Sequence, residues 1–503
     1  MHRSSESGIA LIVTMFMVLI LSLIGSSLVF VSRTETLSSL NYKTMSQVRY
    51  AAESGVHSAA NHILWTYVAP GTGADPLANY DTTTSPVTCI ANCTNNGQAV
   101  VLSSNADVAS NYPVAAVRTA FADATRGTLS VGTGTVAYKA VARLMSMRQI
   151  NDAFTGTPVT LQTWEITGTG SVGGAGSAQL EVSVTLERQD TPIYKYAAFA
   201  TYNGCDALKF GGGAHTNSYN STSPLVAGAP TIANSGGNVG TNGNLDELGA
   251  TTSIQGSLST PRSGVGTCTA ANVTALTQSG GATVTGGIVQ LSQAVSYPTP
   301  PDPSPLPPTT NIGFSKNGGC PAGAPAYCTA QAGTGETIHP PTATTVTSLG
   351  NVSVTGGASL HVSAGVYIVN SLSMTGNSSI VIDANADGTM GPVVFKVAGQ
   401  SQTTPIDLTG GTITNTSYSP SALQFIYGGS GDVKLAGGAA SSALVYAPNA
   451  GVTFSGGADL YGAVVAGQIK DMGGMTIHYD RSLQNSATTA GNPIMDAFNW
   501  KNY

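Results

Sequence analysis

The sequence predicts an α+β fold: a long N-terminal helix packed on an antiparallel sheet, then a large β-rich domain that reads as a β-solenoid, with a β-sandwich as the alternative. Three observations carry this prediction. An uninterrupted apolar run starts at Ile9 and passes into an amphipathic stretch; apolar and polar residues alternate between 135 and 188; and a short motif ending in Gly-Gly or Gly-Asn recurs from 352 onward.

From Ile9 to Ser32 there is neither charge nor proline, and at about 1.5 Å per residue the stretch spans the ~30 Å hydrocarbon core of a membrane as one helix. It is longer than the apolar region of a secretory signal peptide, and "SSLVFVSRTE" offers a poor cleavage site. Beyond Arg33 the apolar residues Leu37, Leu40, Met45, Val48, Ala52, Val56, Ala59 and Ile63 recur at helical spacing, with Arg33, Glu35, Lys43, Arg49 and Glu53 mostly off that line. A helix from Ile9 to about Trp65 is roughly 85 Å long, and only its second half can pack on a soluble head.

A short polar leader, Gly8, an apolar helix directly after it and an amphipathic continuation together resemble a type IV prepilin. "SGIALIVTMFMVLILSLIGSSL" followed by "YAAESGVHSA" at 50–59 is similar, more narrowly, to the N-terminal region of PilX-type minor pilins. The resemblance implies that a prepilin peptidase cuts after Gly8 and that the new amino group of Ile9 is methylated. It also implies that the helix, through residues such as Ile9, Val13, Leu19 and Leu23, leaves the bilayer to pack among the helices of other minor and major pilins. Most pilins carry Glu where this chain has Val13. In the family that glutamate neutralises a neighbour's terminal amine, and subunits lacking it are associated with filament tips and initiation.

Residues 67–194 are expected to form the pilin-like head. "TVAYKAVARLMSM" (135–147), "QTWEITGTGSV" (162–172) and "QLEVSVTLER" (179–188) read as strands; Leu180, Val182, Val184 and Leu186 lie on one face of the last, and "GGAG" (173–176) turns between the last two. Residues 67–130 read as loop. The remainder divides into a Gly-rich β region (195–295), a Pro-rich linker and Cys loop (296–345), a solenoid-like domain (346–482) and a C-terminal tail (483–503). "YPTPPDPSPLPPTT" (297–310) is too proline-rich for helix or central strand and reads as an extended spacer or surface loop.

The repeat copies are "VSVTGG" at 352, "LSMTGN" at 372, "IDLTGG" at 406, "VKLAGG" at 433, "VTFSGG" at 452 and "IKDMGG" at 469, spaced by 17 to 34 residues, with "LKFGGG" at 208 and "ATVTGG" at 282 as earlier rungs. Strands this short cannot bury their own face, which is the signature of stacked solenoid rungs. Fully apolar runs such as "PVVFKVAG" (392–399) and "SALVYAP" (442–448) suit an interior wall.

Only 9% of the 503 residues are charged and 61 are glycine, the composition of a secreted, turn-rich β protein. A formal charge of -6 without a basic cluster gives no support to nucleic-acid binding. Six cysteines in a chain read as exported predict disulfides; proximity clips Cys89 to Cys93 and Cys320 to Cys328 and leaves Cys205 with Cys268, one of many possible pairings. In "DANADG", Asp383, Asn385 and Asp387 match the first half of a calcium loop, but Val394 stands where the loop needs Glu; a structural calcium and a plain polar turn are both open. Asp432, Asp459 and Asp471 lie near Gly-Gly turns, yet nothing pairs them as an acid and base. His57 and His62 are spaced wrongly for a shared metal, and Trp65, Trp164 and Trp500 read as core or capping aromatics.

No catalytic motif is present, so the chain reads as a non-enzyme without cofactor. The resemblance implies a minor pilin that starts as a single-pass inner-membrane protein with a periplasmic head and moves to a pilus or the cell surface. There it would act in assembly or at the tip and display the β-rich domain to a surface or partner ligand. The alternative is a membrane-tethered β-helical adhesin with no filament role.

Overall fold

The computed structural model describes residues 6–71, 75–131, 134–151, 158–173, 178–436, 441–457, 459–485 and 488–502. The described residues form two compact units, one drawn from Met1–Asp152, Gly156–Thr191 and Ala490–Tyr503, the other from Pro192–Thr489.

In the first unit, helix α1 (Glu6–Trp65) is 60 residues long. Its second half lies on a sheet of strands β1 (Val101–Ser103), β2 (Gly127–Val131), β3 (Gly134–Asn151), β4 (Pro158–Val172), β5 (Ala178–Pro192) and β6 (Thr488–Asn502), ordered β6-β5-β4-β3-β1 with β2 also on β3. The pairings of β1 and β2 with β3, of β3 with β4 and of β4 with β5 are antiparallel. Leu180, Val182, Val184 and Leu186 are all buried, as their alternation predicts, and they share a core with Val48, Ala52, Val56 and Ala59 of α1 and with Trp164. Most of the predicted turn at 173–176 lies outside the described residues. Two features differ from expectation: a ten-residue helix, α2 (Ala115–Ala124), interrupts the stretch read as loop, and the C-terminal segment is an edge strand beside β5 instead of a tail. The second unit is therefore inserted between two neighbouring strands of the head sheet.

The second unit is a three-faced parallel β-solenoid, which excludes the sandwich. Its pairings are parallel throughout except for a hairpin of Cys328–Gln331 with Gly335–Ile338 and a few isolated bridges. All six motif copies fall on one face and in one register. Ile312, Val352, Leu372, Ile406, Val433, Val452, Ile469, Leu208, Leu245 and Leu276 form a single column across ten layers, each residue buried. "LKFGGG" belongs to this column, whereas "ATVTGG" does not: Thr283–Val284 pairs with Ser253–Ile254 on another face. The motif ends as it does because the chain turns a corner there in the left-handed region, at Gly356, Gly376 and Gly456, with Asn377 doing the same at φ 58°. On a second face Tyr367, Phe395 and Phe425 stack with centroids 5.1 and 5.5 Å apart.

The layers do not follow chain order. The first rung in sequence, Ala198–Ala200, Leu208–Phe210 and His215–Tyr219, pairs with the last, Asp459–Asp471 and Thr476–Asp480. The stack thus runs from Asn311 to Asp480, continues with Ala198 and ends at Gln290. The proline-rich segment must carry the chain from one end of the stack to the other. Ten layers span about 43 Å, and the twenty residues after Gln290 reach about 60 Å in polyproline II form. The segment runs as a strap along the solenoid: Asn242 Nδ2 donates to the Val295 carbonyl (2.9 Å), Tyr446 Oη to Pro298 (2.7 Å), Gln400 Nε2 to Pro307 (3.2 Å) and Asn351 Nδ2 to Thr309 (2.8 Å). Proline offers acceptors but no N–H, and at these prolines the solenoid supplies the donors, while the Val295 N–H donates back to Asn242 Oδ1 at 2.8 Å.

Candidate functional site

The first half of α1 is apolar and uncovered. Ile9, Val13, Leu19 and Leu23 are between 54% and 65% exposed, and the exposed apolar side chains continue to Val31. The helix from Ile9 is long and apolar enough to cross a membrane, with a mean hydropathy of 2.6 in its most apolar window. Gly8 lies in the first described turns of the same helix.

The second half is built for close approach. A Cβ on Gly168 of β4 would sit 2.1 Å from the Ala52 carbonyl oxygen, and one on Gly170 would sit 2.0 Å from that of Val48. A Cβ on Gly55 of the helix would meet the Lys139 carbonyl at 2.8 Å. The "AAESG" stretch and the "TGTG" of β4 are two sides of one contact in which backbone lies on backbone. Helix signals revealed the first, but the glycines of β4 looked like ordinary strand residues, and only their spacing of two on one face could have flagged them.

Around the end of the helix, Ile63, Leu64, Tyr67, Gln162 and Leu186 line an open cleft of about 330 Å³. Of the aromatics read as core or capping, Trp65 stands at the rim of this cleft, 84% exposed, and Trp164 is buried in the core. The Trp500 side chain lies outside the described residues. His57 is exposed; His62 is buried edge-on against Phe121, and burial lowers its pKa.

The structure pairs Cys89 with Cys93, Cys205 with Cys268 and Cys320 with Cys328. Asp383, Asn385 and Asp387 lie in one loop, where most of their side-chain oxygens accept hydrogen bonds from the protein. The Asp383 carboxylate meets His339 Nε2 and His361 Nδ1, both at 2.9 Å. Asn385 Oδ1 accepts from the Ala364 N–H at 3.1 Å, and Asp387 Oδ1 accepts from the N–H and Oγ1 of Thr389, which holds its carboxyl below the usual range. Among the described residues no group of three or more His, Cys, Asp or Glu is placed to hold a metal ion. The three turn-associated aspartates are not brought to one edge: Asp459 lies 3.3 Å from His478 Nε2, and Asp471 points into the solenoid and is buried. Under the strap, Pro300, Pro303, Val346, Ile368, Val397 and Ile426 border an apolar cleft of about 250 Å³.

The strongest functional geometry is therefore a membrane-length helix joined to a small head that carries a solenoid. Residues 7–57 match the family described as PilX N-terminal, and residues 342–486 match a family described as a domain of unknown function, DUF7305. Neither match reaches half of the chain. The chain carries a PilX-type, pilin-like N-terminal segment and a β-rich domain that includes the second family. The competence-associated pilin ComZ from Thermus thermophilus is similar at 12% identity, over 75% of this chain and 88% of that one, with a TM-score of 0.23. No curated protein matches the chain.

Proposed function

We propose that the protein is a minor pilin of a type IV pilus-like filament, acting in assembly initiation or at the tip and displaying its solenoid to a surface or partner. The observation that carries this reading is the PilX-type match over residues 7–57, which coincides with a helix whose first half is exposed and apolar and whose second half is welded to a sheet. In this reading a prepilin peptidase removes Met1–Gly8, Ile9 is methylated, and the helix moves from the inner membrane into contact with other pilins. The protein works by assembly and display and not by catalysis.

Peptide mass spectrometry of protein from native membranes or sheared filaments tests the proposal: the expected N-terminal peptide begins with N-methylated Ile9, and a chain retaining Met1–Gly8 would sink the reading. Val13 supplies a second test. Without a carboxylate, this subunit cannot accept the terminal ammonium of a neighbour. Val13→Glu is expected to restore that pairing and move immunogold label from filament ends into the shaft; label confined to the ends in both proteins would refute the role given to Val13.

A further inference from the structure

Three carboxylic acids face the interior of the solenoid without a cation. Asp471 is 1% exposed and lies between Phe454 and Phe210 of the adjoining layers, at the seam where the last rung in sequence meets the first. One of its oxygens accepts the N–H groups of Gly473 and Met475, at 3.2 and 3.3 Å, and the Gly474 N–H also faces the carboxylate. Glu247 is fully buried beyond Phe210; it accepts from Gln278 Nε2 at 3.0 Å, the backbone N–H groups of Ile254 and Thr283 face it, and its Oε1 makes no hydrogen bond. Glu336, fully buried near the far end of the stack, accepts from the Ser315 N–H at 3.4 Å, and its Oε2 has no partner.

The charged groups nearby point the other way. Lys470 is exposed beside Asp471, Lys209 and Asp246 pair with each other at 2.6 Å on the outside, and His339 and His361 are turned outward onto Asp383. None of the three acids takes part in an ion pair among the described residues. A buried carboxylate without a cation disfavours the charged form.

We propose that the solenoid is an acid-tightened body, its layers closing more firmly as the pH falls from neutral to about 5 because Asp471, Glu247 and Glu336 take up protons inside it. Burial pushes the Asp471 carboxyl up to about 6 and raises those of Glu247 and Glu336. The folded state therefore holds these protons more tightly than the unfolded chain. The stability they contribute is complete below the ordinary carboxylate range and is lost as the pH rises through the folded values. This is opposite in sign to the salt-bridged acids that make most proteins acid-labile.

Hydrogen–deuterium exchange on the full-length protein in detergent, corrected for intrinsic rates, tests the proposal. Between pH 7.5 and pH 5, protection of peptides from 207–219 and 464–480 is expected to rise, by about tenfold where Asp471 controls opening, because pH 5 lies about one unit below its folded value of about 6 and still above the ordinary carboxylate range. Asp471→Asn is expected to show high protection at pH 7.5 and little further change at pH 5; Glu247→Gln and Glu336→Gln should do the same near their own layers. Protection that is flat or falls in acid, or an Asp471→Asn protein that keeps the wild-type dependence, would overturn it. Should one variant fail to fold, the wild-type titration and the other two decide.

Discussion

Gly168→Val is expected to detach α1 from its sheet and to lower the stability of the head by about 3 kcal/mol or more. The new Cβ would lie 2.1 Å from the Ala52 carbonyl oxygen and 2.9 Å from Val56 Cγ2. The nearest obstacle is backbone, so no rotamer change relieves it. The helix must lift, opening the contact that buries Val48, Ala52, Val56 and Ala59, and each valine re-exposed loses roughly 1.5 kcal/mol or more of burial if fully uncovered, each alanine about half of that. Gly134→Ala is the matched control, because a Cβ there meets nothing within 4 Å. Near-UV circular dichroism of the buried Trp164 environment during thermal unfolding, together with limited proteolysis after Lys43 and Arg49, reads the outcome. A Gly168→Val protein that melts and is cleaved like the Gly134→Ala control would show that the close approach is not what holds the helix.

That contact shows what was and was not legible in the sequence. The helix could be read because its period lies within one segment, and the strand 179–188 because its alternation does. The fit between Ala52 and Gly168 belongs to two segments at once, and small residues carry no label for their partner. The solenoid divides the same way. The Gly-Gly motif was legible because each copy repeats a local event, an inward aliphatic residue followed by a left-handed corner. The irregular 17-to-34-residue spacing reflects loops at the corners, which leave the register untouched. The layer order was not legible: every rung offers the same edge, so nothing local says that Leu208 pairs with Ile469 and not only with Leu245.

Asp471 illustrates a signal that was present and unused. It follows Ile469 by two residues, the place that Phe454 holds in "VTFSGG" and Leu435 in "VKLAGG", and strand alternation puts that place inside. A charged residue in an inward column is an anomaly that alignment of the repeats alone exposes. The aspartates of "DANADG" carry a signal with two meanings: their spacing suits calcium, and the same residues stabilise turns through their own backbone, as Asp387 does here with Thr389.

Loss of the Cys205–Cys268 bridge is expected to destabilise the solenoid by about 4 kcal/mol, against about 2 kcal/mol for either of the other two. The difference follows from loop length. Cys205–Cys268 joins positions 63 residues apart, whereas Cys320–Cys328 and Cys89–Cys93 join positions 8 and 4 apart, and the entropy removed from the unfolded chain grows with the logarithm of the closed loop. Position adds to it. Cys205 lies between two strands of the rung that docks on Asp459–Asp471, and Cys268 lies in the loop that leads to Leu276–Ser279, two layers further out. The bridge therefore ties the outer layers to the seam between the first and last rungs in sequence. Guanidinium unfolding of the Cys205→Ser/Cys268→Ser protein, beside Cys320→Ser/Cys328→Ser, should show the larger drop in midpoint for the first pair. Exchange protection of 245–290 should fall with it while the layers from 346 to 436 keep theirs. Equal midpoint losses in the two variants would mean that the long bridge adds only a local clip, and that the outer layers are held by their inward column alone.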